Sequence, residues 1–215
     1  NFRKAITPKT RVIYAETMGN PQINVLDIEA VAKIANEAGV PLVIDNTFAS
    51  PYLCQPIRFG ADIVIHSATK FIGGHGTTMG GVVVESGKFP WGNGKYPMMT
   101  EPSRGYHGVI FHETFGDFGY TMKCRMETMR TLGPVLSPFS AWILLQGLET
   151  LHVRVARHVE NAMAVATFLQ DHPRVSWVNY PGLPGSKYHA LAQKYLPKGS
   201  GSIMTFGIKG GMEAG

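Results

Sequence analysis

The segment Ile65-His66-Ser67-Ala68-Thr69-Lys70-Phe71-Ile72-Gly73-Gly74-His75-Gly76 puts two hydroxyls and one lysine between an apolar run and a glycine-rich bend. Residues 62–65 read as a short buried strand, and the glycines after Lys70 let another group come close to the backbone. If desolvation lowers the pKa of a lysine in such a place, its neutral amine becomes a nucleophile that condenses with an aldehyde to a Schiff base. Ser67 and Thr69 are then candidate phosphate donors. The plainer alternative is a strand followed by a solvated Ser/Thr/Lys turn, because short motifs recur by chance.

The preceding elements give the motif its context. Thr10 to Glu16 carries β-branched and aromatic residues and predicts a strand, closed by the turn-like Met18-Gly19-Asn20-Pro21. Asp27 is placed to cap a helix whose apolar positions Ile28, Val31, Ala32, Ala35 and Ala38 keep helical spacing up to Gly39. Val40 to Ile44 is a continuous apolar run, as in a strand buried on both faces, and it ends at Asp45-Asn46-Thr47. Strand, helix, strand implies a right-handed parallel crossover. Ligands of such sheets gather beyond the carboxyl ends of the strands. Glu16 with Asn20, Asp45 with Thr47, and Ser67 with Thr69 and Lys70 each follow a separate strand, so three polar clusters are expected at one edge. An aspartate after a strand is commonly a turn or helix cap. Beside a lysine and two hydroxyls, Asp45 reads better as the partner of a pyridinium nitrogen, the arrangement of pyridoxal phosphate enzymes.

Further along, Val82 to Glu85 predicts a strand and residues 86–119, rich in Gly, Pro and aromatics, a long ordered loop whose rings pack together. Helices are expected over Thr121 to Leu132 and Phe139 to Leu148. Another is expected along the stripe of Val155, Val159, Ala162, Ala166 and Leu169. Arg154, Arg157 and His158 lie there as solvated or paired side chains with no role assigned. Val175 to Tyr180 and Ser202 to Ile208 predict strands of a second unit around a helix-compatible Tyr188 to Tyr195. The domain expectation is therefore 1–150 as part of a large domain, 151–171 as a linking helix and 172–215 as the start of a smaller C-terminal domain, with Gly210 to Gly215 resembling an interruption.

The 215 residues include 25 glycines, 14 prolines and 44% hydrophobic residues, a composition for short elements joined by many turns. A net charge of +5 invites a nucleic-acid reading, but only 16% of residues are charged and Lys and Arg are scattered, so none is expected. Cys54 and Cys124 make no disulfide framework and are expected as buried thiols of a reducing cytosol. No HExxH pair argues against structural zinc, and without a GK[ST] ending the glycines from 73 to 81 do not form a P-loop. Apolar runs are far too short for a bilayer, and Asn1 to Lys4 has no apolar signal core.

ETMGNP at 16–21, VIDNTFASPYLCQP at 43–56, HSATKFIGGHGTTMGG at 66–81, LSPFSAWILLQGLETLHVR at 136–154 and YPGLPGSKYHALAQKY at 180–195 together resemble the Cys/Met-metabolism family of pyridoxal phosphate enzymes. Within it, FASPYLCQP and the GKFPW to HETFG passage look most like the O-acetylhomoserine sulfhydrylase branch. The resemblance implies an α/β, aspartate-aminotransferase-like (fold type I) large domain with a smaller C-terminal α/β domain, both incomplete in these residues. It implies pyridoxal 5'-phosphate as cofactor, Lys70 as the Schiff-base lysine, Asp45 as the partner of the pyridine nitrogen, Ser67 and Thr69 as phosphate ligands, and Asn20 near the cofactor and the substrate carboxylate. It also implies γ-replacement of acetate by sulfide or a small thiol, a cytoplasmic location and a homotetramer with shared active sites. The family's N-terminal phosphate turn, ring-stacking tyrosine and Tyr/Arg pair lent to the neighbouring subunit have no counterpart here, nor has its C-terminal carboxylate-binding arginine. The alternatives are a methionine γ-lyase or cystathionine γ-synthase/lyase and, from another class, a catalytically incomplete fragment or non-catalytic subunit.

Overall fold

The computed structural model describes residues 2–214. After a helical turn, α1 (Phe2–Ala5), the chain forms β1 (Ile13–Glu16), α2 (Ile28–Glu37), β2 (Leu42–Asp45), α3 (Ser50–Leu53), β3 (Ile63–Ser67) and β4 (Gly81–Glu85). The four strands make one sheet in the order β1-β2-β3-β4, parallel from β1 to β3, with β4 antiparallel to β3. β1 is shorter at its start than the expected strand, and β3 continues through His66 and Ser67 instead of ending at Ile65.

Local chemistry accounts for the first crossover. Asp27 accepts a hydrogen bond from Ala30 N at 3.3 Å, a cap of the kind that contributes about 1 kcal/mol. Gly39 at φ +61° ends the helix and turns the chain into β2. Ile28, Val31 and Ala35 bury against the sheet. Along β2 burial alternates instead of being complete on both faces: Leu42 and Ile44 are buried, whereas Val43 and Asp45 are half-buried. Leu42, Ile44, Ala15 and Val64 belong to the main core, which Val155, Ala192 and Tyr195 close from the later helices.

Residues 86–119 do pack, but they are not merely a loop. They contain α4 (Pro97–Thr100) and α5 (Phe111–Phe115), and Phe89, Trp91, Tyr96, Met99 and Phe111 form a second core with Ile63, against which Val43 rests. Trp91 stacks on Tyr120 at a centroid distance of 5.4 Å and meets Phe89 and Tyr96 edge-on. This cluster covers the start of the Val43 face. Next come α6 (Gly119–Lys123), a π-helical stretch (Cys124–Met129) and α7 (Arg130–Leu132) where one helix was expected. Cys54 is buried, and burial pushes its thiol up to about 12; Cys124 is only half-buried, short of the expectation.

The remaining elements are α8 (Pro138–Glu149), α9 (Leu151–Asp171), β5 (Val175–Asn179), α10 (His189–Tyr195) and β6 (Thr205–Ile208). Ser137 caps α8 through Ser140 N, with Pro138 at the position where a missing N–H costs nothing. α9 buries Leu151, Val155, Ala162 and Ala166 on one stripe, as its spacing predicts. β5 and β6 pair antiparallel as a separate two-stranded sheet. Among the described residues no helix is long and apolar enough to cross a membrane.

Candidate functional site

The sheet register aligns Glu16 with Asp45 and Asp45 with Ile65, two residues before Ser67, so three strand ends meet where the sequence places its polar clusters. Alternation then separates two kinds of residue. Asp45 lies on the Val43 face, while its neighbour Asn46 turns into the opposite, fully buried side. There Asn46 Oδ1 accepts from Thr17 Oγ1 at 2.7 Å, and its Nδ2 donates to Ser50 O at 3.1 Å and Cys54 O at 2.9 Å. Asn46 thus ties the end of β1 and both ends of α3 to β2.

Asp45 is held by short-range bonds. Its Oδ1 accepts from Thr47 N at 2.9 Å and its Oδ2 from the Tyr14 hydroxyl at 3.2 Å. Desolvation, and then the Asp45 charge, raise the Tyr14 pKa above that of a free phenol, so at neutral pH Tyr14 is a donor. Thr47 also bridges to β3, its Oγ1 accepting from Ser67 N at 2.8 Å. The carboxylate and the Ser67 backbone are therefore joined through one residue.

Ser67 Oγ and Lys70 Nζ have no hydrogen-bond partner among the described residues, and Lys70 is exposed, so these residues give it none of the burial expected from the sequence. Thr69 is engaged: its Oγ1 accepts from Gly80 N at 3.0 Å and lies 3.3 Å from Gly80 O, to which it donates. Its hydroxyl proton must turn from Gly80 O to reach a ligand. Asn20 is exposed, and its backbone N–H donates to Glu16 Oε2 at 3.1 Å, which tethers it to the end of β1.

The turn that carries Lys70 closes on itself through Gly73 N to Ala68 O and Gly74 N to Lys70 O, both 2.8 Å. Gly73 and Gly74 do admit a close neighbour, as their spacing predicts, and it is the guanidinium of Arg154 with Leu144 of α8. His66 points away from Asp45's side: it is 6% exposed, its Nδ1 has no partner among the described residues, and burial lowers its pKa while the Asp45 charge opposes the shift. Tyr14, Asn46 and Arg154 are the site residues that sequence reasoning did not place at this edge, whereas Thr47 was expected there beside Asp45.

No three His, Cys, Asp or Glu among the described residues are grouped to hold a metal ion. The donor set fits pyridoxal phosphate: an oriented carboxylate for a ring nitrogen, a free hydroxyl for phosphate, and a free amine on an adjacent turn, all at the strand ends.

A family model described as Cys/Met metabolism PLP-dependent enzyme matches residues 1–215. The chain is 55% identical to the O-acetyl-L-homoserine sulfhydrylase of Leptospira meyeri over 99% of this chain and 50% of that protein. It is 51% identical to the homocysteine/cysteine synthase of Saccharomyces cerevisiae over 97% of this chain and 48% of the other. Among solved structures it is similar, with a TM-score of 0.91 and 37% identity, to an O-acetylhomoserine (thiol)-lyase of Campylobacter jejuni bearing a pyridoxyl-lysine phosphate, across 97% of this chain and 52% of that one. The chain spans about half the length of the curated relatives it matches.

Proposed function

This chain belongs to the Cys/Met metabolism family of PLP-dependent enzymes and has their fold type I α/β architecture; from that premise we propose that its protein converts O-acetyl-L-homoserine and sulfide to L-homocysteine and acetate. A small thiol such as methanethiol gives the corresponding thioether, L-methionine. The observation that carries this reading is the 55% identity to a sulfhydrylase in a chain whose Asp45, Ser67 and Lys70 share one sheet edge. Pyridoxal phosphate, when bound, supplies an electron sink for charge developing on the substrate carbons.

The chain's own residues then have distinct tasks. Asp45, oriented by Thr47 and Tyr14, would hold the proton on the ring nitrogen. Ser67 Oγ donates to the phosphate, and Thr69 joins it by turning its hydroxyl from Gly80 O. Lys70 Nζ would hold the cofactor through its aldehyde and would serve as the base that moves protons at the substrate Cα and Cβ. Asn20, tethered through Glu16, lies beside the substrate carboxylate. The bond from Cγ to acetate breaks, and sulfide adds to that carbon. Residues 1–150 belong to a large cofactor domain, 151–171 to a linking helix and 172–215 to a smaller C-terminal domain, and the protein acts as a cytoplasmic homotetramer.

The test is the visible spectrum of the full-length protein with pyridoxal phosphate, before and after borohydride, beside Lys70→Ala. A band that needs Lys70, fixed by reduction to its peptide, together with sulfide-dependent release of acetate, is the expected result. Release of a 2-oxo acid and ammonia without added thiol would assign a γ-lyase instead.

A further inference from the structure

Arg154 sits in the first turn of α9, 84 positions beyond Lys70 in the chain, yet its guanidinium reaches the Lys70 turn. Nη1 donates to Phe71 O at 2.9 Å and Nη2 to Ile72 O at 3.2 Å. Nη2 also donates to Gly147 O at 2.6 Å, and Nε to Thr150 Oγ1 at 3.2 Å. The neighbouring carbonyls of the turn have local partners: Ala68 O and Lys70 O accept from Gly73 N and Gly74 N, and Gly73 O faces His75 Nδ1 at 2.9 Å. Phe71 O and Ile72 O, the two that follow Lys70 directly, depend on the arginine.

The close fit is built in. A Cβ on Gly74 would lie 2.5 Å from Arg154 Nη1, and one on Gly147 would lie 2.5 Å from both Ile72 O and Gly73 O. Arg154 forms no salt bridge among the described residues, unlike Arg157, which pairs with Glu160 at the surface. Its charge is directed at carbonyl dipoles, as a cation caps the end of a helical turn. A planar fork is suited to reaching several carbonyls at once, and a lysine ammonium is not.

We infer that Arg154 is a positioning residue for Lys70: by pinning the carbonyls of Phe71 and Ile72 to the α8–α9 junction, it fixes where the lysine amine projects. The inference rests on the reading of Lys70 as the cofactor lysine. Because α9 is 21 residues long and leads to β5, the same contact also ties the Lys70 turn to the helix that leads to the second sheet.

The experiment compares Arg154→Ala and Arg154→Lys with wild type in the full-length holoenzyme, by steady-state kinetics and by pH titration of the cofactor's visible band. The expected result for Arg154→Ala is a kcat lower by about tenfold to a hundredfold with a far smaller change in KM. Its band titration moves by about half a pH unit or more, because the cation and the set of the lysine are both lost. Arg154→Lys recovers part of each effect. A merely structural residue would lower Tm while the folded fraction kept wild-type kcat and the wild-type titration, and that outcome overturns the inference. If Arg154→Ala does not fold, a folded Arg154→Lys with wild-type kcat and band overturns it equally. A wild-type band that does not need Lys70 would overturn the underlying reading; a Lys70-dependent band unchanged in both arginine variants would overturn this inference alone.

Discussion

The Tyr14 hydroxyl donates to Asp45 Oδ2 at 3.2 Å across adjacent parallel strands, from a side chain 52% exposed to a carboxylate that is half-buried. Tyr14 pairs with Val43, two residues before Asp45, and the contact exists because residues 14 and 45 lie on the same side of the sheet. Tyr14→Phe should leave stability within about 1 kcal/mol of wild type, since the pair is open to water. Ultraviolet difference titration should show one fewer phenol ionising above the ordinary pH of 10. Loss of a phenol that ionises at or below that pH would contradict the contact.

Asn46→Ala should be far more costly. It strands the Thr17 hydroxyl and the carbonyl of Cys54 in a fully buried place, while Ser50 O keeps its bond from Cys54 N, and each stranded group costs about 1–3 kcal/mol. Urea denaturation should show a loss of several kcal/mol, whereas Thr17→Val, which removes a single donor, should lose less. Equal stability of Asn46→Ala and wild type would refute the network.

His66 gives the fold a pH dependence of definite sign. Burial lowers its pKa in the folded chain below the ordinary 6.5, so the unfolded chain takes up the proton first. Its contribution is complete above pH 6.5 and is lost as pH falls from there through the folded value. Tm measured from pH 8 to pH 5 should fall less steeply in His66→Gln than in wild type. Parallel curves would remove His66 as the source.

Gly147→Ala tests the approach of α8 to the Lys70 turn. A methyl group 2.5 Å from two carbonyl oxygens forces the helix or the turn to move. Chemical denaturation should show a loss of about 1–3 kcal/mol, the range for overpacking. Ala→Gly reversal elsewhere on α8 would not reproduce it, and an unaltered Gly147→Ala midpoint would show that the contact is loose.

Much of the site was legible because its residues follow strands, and strands announce themselves locally. Asp45, Ser67, Thr69 and Lys70 each end or follow an apolar run, and the parallel pairing of Asp45 with Ile65 brings Ser67 and the turn after it to the same end of the sheet, as expected. The length of β1 was not legible, since Thr10 to Val12 have strand-forming side chains but no neighbour in the sheet. Nor was the helical content of residues 86–119, where short helices are fixed by ring packing instead of by a periodic stripe. Arg154 was out of reach for a plainer reason. A side chain whose partners are carbonyls 82 and 83 positions away leaves no trace in local spacing. The apolar run before Asp45 likewise could not reveal that one of its faces meets the aromatic cluster and the other the main core.

Asp45 and Asn46 are consecutive, yet one turns its carboxylate to the side of Thr47 N and the Tyr14 hydroxyl and the other anchors the buried scaffold. For variation over time this works like a reading frame. Substitutions can sample either side of β2 separately, but inserting or deleting one residue within the strand exchanges the two sides at once, and an amide would arrive where the carboxylate stands. A change of chain length is therefore far less disruptive in the connections than within β2.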